Sequence, residues 1–300
     1  MDKKEHSFLL SCESTADLPY AYVTGRGISV AFYTYAIDGV EYEDDMGRDP
    51  EALPHFYAQL AEGKLPSTSQ INVYRYMEYF EPLLQKGDVL HLAFSSGITP
   101  SQNNAVQAGE LLKEKYPDRR LVVVDSMAAS SGYGLLLDTA ADLWDAGRGL
   151  DEVKSWIEAN RNRMHHHFYS TDIRYFHRSG RVSGPAAAVG SILNICPLMR
   201  LDDRGHMVAF DKVRGKKAAI QATLRYMEQH AEGGTAYRGK CWMCYSNCPE
   251  LAEETRAALK ERFPDIDGEI RLNDIGNIIA SHTGPGTVSI FFWGDERDPE

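Results

Sequence analysis

The feature that most restricts the fold of this chain is an alternation in its first half, where short apolar runs take turns with segments of helical periodicity. The runs are FLLSC (8–12), ISVAFYTYAID (28–38), DVLHLAF (88–94) and RLVVVDS (120–126), with amphipathic stretches around 50–62 and 101–116 between them. Such an order builds βαβ units and a parallel sheet covered by helices. Three of the runs end in polar clusters: Glu13-Ser14-Thr15, Ser95-Ser96-Gly97 and Asp125-Ser126. Ligands of open α/β sheets bind outside the carboxyl ends of the strands, so these clusters are expected to converge on one site.

After the helical segment 151–163 the composition changes to the small-residue stretch GRVSGPAAAVGSILNICPLM (180–199). Strand-like runs follow at 206–215, 240–246, 269–276 and 287–293. This order suits a second α/β lobe with a mixed, partly antiparallel sheet. The expected fold is therefore α/β in two lobes, 1–160 and 161–300. No Gly/Ser-rich linker separates them, and a tight interface between lobes is a favoured place for a ligand pocket.

Charge and composition narrow the partners. A formal net charge of −11 over 300 residues opposes attraction to nucleic acid, and membrane contact is expected to be transient at most. The first apolar stretch is broken at once by Cys12, Glu13 and Ser14, too early for a secretory signal, and no apolar run approaches a membrane span of roughly 20 residues. A cytoplasmic location is expected. Cys241, Cys244 and Cys248 read as structural thiols, because a strand at 240–245 sends the first two to opposite faces and four zinc ligands are not at hand. His165, His166 and His167 fan out on any regular element and read as partly exposed residues where a helix passes into a strand. Neither a metal ion nor a cofactor is expected.

Two hydroxyl-rich segments carry chemistry. Pro66-Ser67-Thr68-Ser69-Gln70 offers hydroxyls able to bind a carboxylate, although the segment by itself favours an ordinary helix N-cap. Ser95-Ser96-Gly97 sits between an apolar strand and a helix opening near Pro100 or Ser101, where free backbone N–H groups can cradle an anion. It lacks the glycines of a nucleophile elbow, and neither a Walker A sequence nor a G-x-G-x-x-G opening is present. The enzymatic alternative is a hydrolase or phosphotransferase using Ser96 with His282. Ser179-Gly180-Arg181-Val182-Ser183 and His282-Thr283-Gly284-Pro285-Gly286 are loop-like, with Arg181 and His282 able to face an anion. Arg214 lies in a compact basic run, 212–217, which also reads as a solvated face.

Taken in order, these motifs resemble the DegV family. Glu13-Ser14-Thr15-Ala16-Asp17-Leu18-Pro19, Thr68-Ser69-Gln70, Ser95-Ser96, Val124-Asp125-Ser126, Gly180-Arg181-Val182-Ser183, Leu193-Asn194-Ile195-Cys196-Pro197-Leu198, Asp203-Arg204-Gly205 and His282-Thr283-Gly284-Pro285-Gly286 fall in register over nearly the whole chain. The resemblance implies a bacterial, non-enzymatic lipid-binding protein that encloses one long-chain fatty acid in a tunnel between two lobes, some members being the acyl-carrying subunit of a fatty acid kinase. It implies a carboxylate held by Thr68 and Ser96, with Ser69 and Ser95 adjacent, and a head-group or kinase-facing end at Arg181, Arg214 and His282. The chain departs from the family pattern at Glu13, where Asp is usual, at Gly97-Ile98-Thr99-Pro100-Ser101, and at Ser179.

Small residues such as Ala187 and Gly190 are expected to leave room for the acyl chain, with Ile192, Leu193 and Ile195 adding apolar wall. Burial of each CH₂ is worth about 0.8 kcal/mol, so an apolar tunnel supplies affinity, whereas the carboxylate needs hydrogen-bond donors to replace its water.

Overall fold

The computed structural model describes residues 6–183 and 194–299. Strands and helices are numbered in chain order. Sheet A comprises β1 (Leu9–Glu13), β2 (Ser29–Ala31), β6 (Val89–Ala93) and β7 (Leu121–Asp125), all parallel, in the order β2-β1-β6-β7. A small antiparallel sheet B holds β3 (Thr34–Ile37) between β4 (Val40–Glu43) and β5 (Ser67–Ser69). Sheet C takes β8 (Met164–Ser170), β9 (Val182–Ser183), β10 (Ile195–Leu201), β11 (Met207–Arg214), β12 (Trp242–Tyr245), β13 (Arg271–Asp274) and β14 (Thr287–Trp293). Its order is β13-β12-β14-β8-β10-β11-β9, parallel at the two outer pairs and antiparallel within.

The helices are α1 (Tyr20–Gly25), α2 (Ala52–Ala61), α3 (Val73–Leu84), α4 (Ser101–Lys115), α5 (Ser130–Asp145), α6 (Leu150–Asn160), α7 (Arg174–Ser179), α8 (Lys216–His230), α9 (Pro249–Arg262) and α10 (Asn277–Thr283). All five residues of β6 are buried, as befits a continuous apolar run in an inner parallel strand covered on both faces. The expected mixture of a helix-covered parallel sheet and a partly antiparallel one is what the chain forms.

Helix α5 joins the two large sheets, and its glycines show how closely. A Cβ on Gly132 would lie 2.4 Å from His166 Nε2 and 2.5 Å from Phe291 Cδ1, against sheet C. A Cβ on Gly134, two residues on and so nearly opposite around the helix, would lie 2.7 Å from Ala16 O. One hydrophobic core accordingly runs from Leu10 and Leu90 of sheet A to Trp242, Cys244 and Phe291 of sheet C.

Two local expectations are corrected. The run 28–38 is two strands: β2 pairs in sheet A and β3 in sheet B, the chain leaving one sheet for the other at Phe32 and Tyr33. His165, His166 and His167 are not partly exposed at a helix end but lie fully inside β8, each about 1% exposed or less. There they bond to Tyr226, Met164 O and Thr223, while His167 Nδ1 is left without a partner. Cys241 and Cys244 do face opposite sides of β12, one in each of two core clusters.

Candidate functional site

The carboxyl ends of β1, β6 and β7 lie side by side and their polar clusters interlock. The buried Glu13 carboxylate accepts from Phe94 N at 2.9 Å, and Ser126 N donates to Ala93 O at 3.0 Å. Ser96 is exposed at the end of β6. Its hydroxyl donates to Asp125 Oδ2 at 2.5 Å, while its N–H reaches Asp125 Oδ1 at 3.2 Å. Ser95 turns inward, donating from Oγ to Gly205 O at 2.9 Å and accepting from Gly97 N at 3.2 Å. Gly97 is required here, since a Cβ would stand 2.6 Å from Arg204 O and from Gly205 C. The Asp203-Arg204-Gly205 turn is thereby packed backbone to backbone against the serine loop.

Thr68 is not a helix cap. It lies on the edge strand β5, and Asn72 caps α3 instead, its side chain accepting from Arg75 N at 2.9 Å. Thr68 Oγ1 lies 2.7 Å from Nε2 of His282, in the last turn of α10. Gly284, at φ +63°, a positive angle that glycine adopts at no steric cost, ends that helix. Burial lowers the pKa of His282 to about 4, helped by the positive charges of Arg181 and Arg178, so the imidazole is neutral at physiological pH. Arg178, which sequence reasoning missed, donates to Ser281 O at 3.1 Å and so ties α7 to α10. Its signal was a second arginine three residues before Arg181.

Ser69 is exposed on β5, opposite Thr34. Arg214 is exposed at the end of β11, opposite the half-buried Ile195 of β10, and no contact brings it to the Thr68–His282 pair among the described residues. Ala187, Gly190, Ile192 and Leu193 lie outside the described residues.

Between sheet C, the start of α5 and α10 lies a narrow apolar slot of about 40 Å³, walled by Ala129, Phe168, Leu201, Met207, Ile279 and Phe291. Ile279 and Thr283 bring α10 to it. Its wall continues into a cluster of Phe168, Phe176, Met199, Leu201 and Met207, against which Ile98 of the serine loop packs. His166 also lines the slot, and burial pushes its pKa well below the ordinary imidazole range, so it adds no charge. Thr287 Oγ1, in the same wall, is buried without a hydrogen-bond partner. Ser96 and His282 do not form a nucleophile–base pair: the serine is bonded to Asp125 and the histidine to Thr68.

Against known proteins, residues 8–295 match the model of the family described as "Uncharacterised protein, DegV family". The chain belongs to the DegV family. A DegV domain-containing protein of Clostridium perfringens is 37% identical over 294 residues, covering 97% of this chain and 99% of the relative. Among solved structures, the DegV family protein of Thermus thermophilus, described as fatty acid binding, superposes with a TM-score of 0.81 at 26% identity, over 96% of this chain and all of the other. A DegV family protein from Ruminococcus gnavus, refined with vaccenic acid, reaches a TM-score of 0.82 at 22% identity over 96% of this chain and all of its own. The DegV fold thus extends over the α/β arrangement described above.

Proposed function

We propose that this DegV-family chain binds a fatty acid, with the acyl chain between the two lobes, 1–160 and 161–300, and the carboxylate at the hydroxyl stations Thr68 and Ser96. The observation that carries the reading is the apolar slot, because neighbouring elements link each station to it. Helix α10 contributes Ile279 to its wall and His282 to Thr68, and the serine loop contributes Ile98 to the adjoining cluster. The fatty acids of related structures support it. Lying on an acidic chain, the exposed Arg178 and Arg181 give the head-group end a local positive field.

The hydrogen bonding suits a neutral grip. With neutral His282 donating from Nε2 to Thr68 Oγ1, the threonine hydroxyl is free to donate to a carboxylate oxygen. Each hydrogen bond to a charged group contributes about 1.5–3 kcal/mol, and the acyl chain adds about 0.8 kcal/mol per CH₂ removed from water. Ser69, Ser95, Ile195 and the small-residue stretch around Ala187 and Gly190 are secondary members of this reading. Ser95 acts by fixing the loop rather than by touching ligand, since its hydroxyl is taken up by Gly205.

A carboxylate held by neutral donors keeps an oxygen available to a phosphoryl donor. The role that follows is presentation of the acyl group to a fatty acid kinase subunit, with Arg178, Arg181 and Arg214 on the partner-facing side. Native mass spectrometry of the purified chain, followed by lipid extraction, tests the binding claim. A chain that is empty and takes up no C14 to C18 fatty acid would overturn it. Acyl phosphate formed only when this chain, a kinase subunit, ATP and fatty acid are combined tests the second claim.

A further inference from the structure

The three consecutive histidines of β8 divide between the faces of sheet C. His166 faces α5 and the slot, whereas His165 and His167 face α8. On that second face, remote from the fatty-acid stations, His165 meets two residues from distant parts of the chain. His230 is the last residue of α8, and Asp295 follows β14. His165 Nε2 lies 2.9 Å from Asp295 Oδ1, and His230 Nδ1 lies 3.2 Å from the same oxygen. One donor atom from each residue falls within 4.8 Å of both others.

The arrangement is built rather than casual. His165 is held between the ring of Phe292, stacked at 5.1 Å, and that of His230, at 5.0 Å. Its Nδ1 lies 3.1 Å from the Tyr226 hydroxyl, an outer partner for a ligating imidazole, while Nε2 lies 3.0 Å from Asp295 O, a contact it exchanges for the metal ion. Gly294 brings the chain in so closely that a Cβ there would stand 2.1 Å from His230 O and 2.9 Å from His165 Cδ2. Asp295 N then donates to His230 O at 3.1 Å, which fixes the carboxylate beside both rings.

We propose that His165 Nε2, His230 Nδ1 and an Asp295 carboxylate oxygen bind a divalent transition-metal ion, zinc for preference, with water in the fourth position. Two imidazoles and one carboxylate are an ordinary zinc donor set. Ligand atoms about 2.0–2.2 Å from a tetrahedral zinc stand about 3.3 Å apart, close to the 2.9 and 3.2 Å that separate Asp295 Oδ1 from the two imidazole nitrogens. Nearby charges do not fill the position: Arg163 is drawn to Glu232, and Arg297 donates to Met127 O and Asn162 Oδ1. The sequence alone gave no reason to expect a metal, because its ligands are 65 and 130 residues from His165. A bound ion would staple the segment after β14 onto α8 and β8.

Isothermal titration of the metal-stripped full chain with zinc chloride tests the proposal, beside His230→Ala, Asp295→Asn and the control His55→Ala on α2. The native chain and the control are expected to bind one equivalent, and each triad variant to bind at least about tenfold more weakly. Zinc is expected to raise the melting temperature of the native chain but not of the triad variants. Asp295 is a surface carboxylate, so its variant answers the question even where His230→Ala folds poorly. Absence of stoichiometric binding by the native chain overturns the proposal, as does native-like binding by Asp295→Asn. Cobalt substitution guards against thiol binding: weak visible bands lost in the triad variants support the site, and intense thiolate-to-cobalt absorption that persists in them overturns it.

Discussion

Thr68 and His282 stand 214 positions apart in the chain, yet their side chains meet at 2.7 Å across the junction of β5 and α10. If this pair grips a carboxylate, removing Thr68 removes a charge-assisted hydrogen bond of about 1.5–3 kcal/mol, and removing His282 frees the Thr68 hydroxyl from the donor that aims it at the ligand. Thr68→Ala and His282→Ala are each expected to weaken fatty-acid binding about ten- to hundredfold in a ligand-displacement assay. Unchanged affinity in both would move the carboxylate elsewhere.

The depressed pKa of His282 has a pH signature. Its folded value, about 4, lies below the ordinary 6.5, so its contribution to stability is fully present above pH 6.5 and is lost as pH falls toward 4. The stability advantage of the native chain over His282→Gln is expected to shrink between pH 7.5 and 4.5, by on the order of 2 kcal/mol in denaturant titrations. His165 and His167 have shifts of the same sign but remain in both proteins, so the difference isolates His282. A fatty-acid carboxylate at the site should raise the pKa of His282 as followed by NMR.

Gly97→Ala places a methyl group against the fixed backbone of Arg204 and Gly205. The loop must retreat, at a cost of about 1–3 kcal/mol. The expected result is a lower denaturation midpoint together with weaker fatty-acid loading, because Ser96 moves with Gly97.

Ile279 is only half buried, so Ile279→Trp can be accommodated at the edge of α10 while crowding the slot. A folded protein that no longer co-purifies with or takes up fatty acid is expected, with melting lowered by a few degrees. Full loading of this variant would place the acyl chain outside the slot.

Glu13 stands where the family usually has Asp, and the structure shows what its extra methylene reaches. The buried carboxylate receives the hydroxyls of Tyr76 and Tyr33 as well as Phe94 N. Glu13→Asp is expected to cost about 1–3 kcal/mol in chemical denaturation, because a shorter side chain leaves one of these donors unsatisfied.

The parallel sheet and the meeting of three strand ends were legible because both follow from local pattern: apolar runs that stop at a hydroxyl or carboxylate. The role of Asp125 was half legible, since its motif was visible but the hydrogen bond from Ser96 was not. Thr68 was ambiguous because a Ser/Thr cluster ahead of a helix normally caps it, and only the pairing of β5 with β3 shows that Asn72 has taken that task. The break within 28–38 was hidden because β-branched and aromatic residues continue through Phe32 and Tyr33 with no glycine or proline to mark a change of sheet. The burial of His165 and His167 depended on partners supplied by α8 and by the segment after β14, far along the chain, and that of His166 on the start of α5.

Helix α10 is short, and Ile279 and His282 are separated on it by three residues, a rise of about 4.5 Å. One belongs to the wall of the slot and the other to the polar contact with Thr68. Over so short a distance a hydrogen-bonded helix does not stretch, so a displacement that widens the slot on this side carries the imidazole with it. Occupancy of the interior and the geometry offered at the surface by Arg178, bonded to the carbonyl of Ser281, are then two readings of a single coordinate.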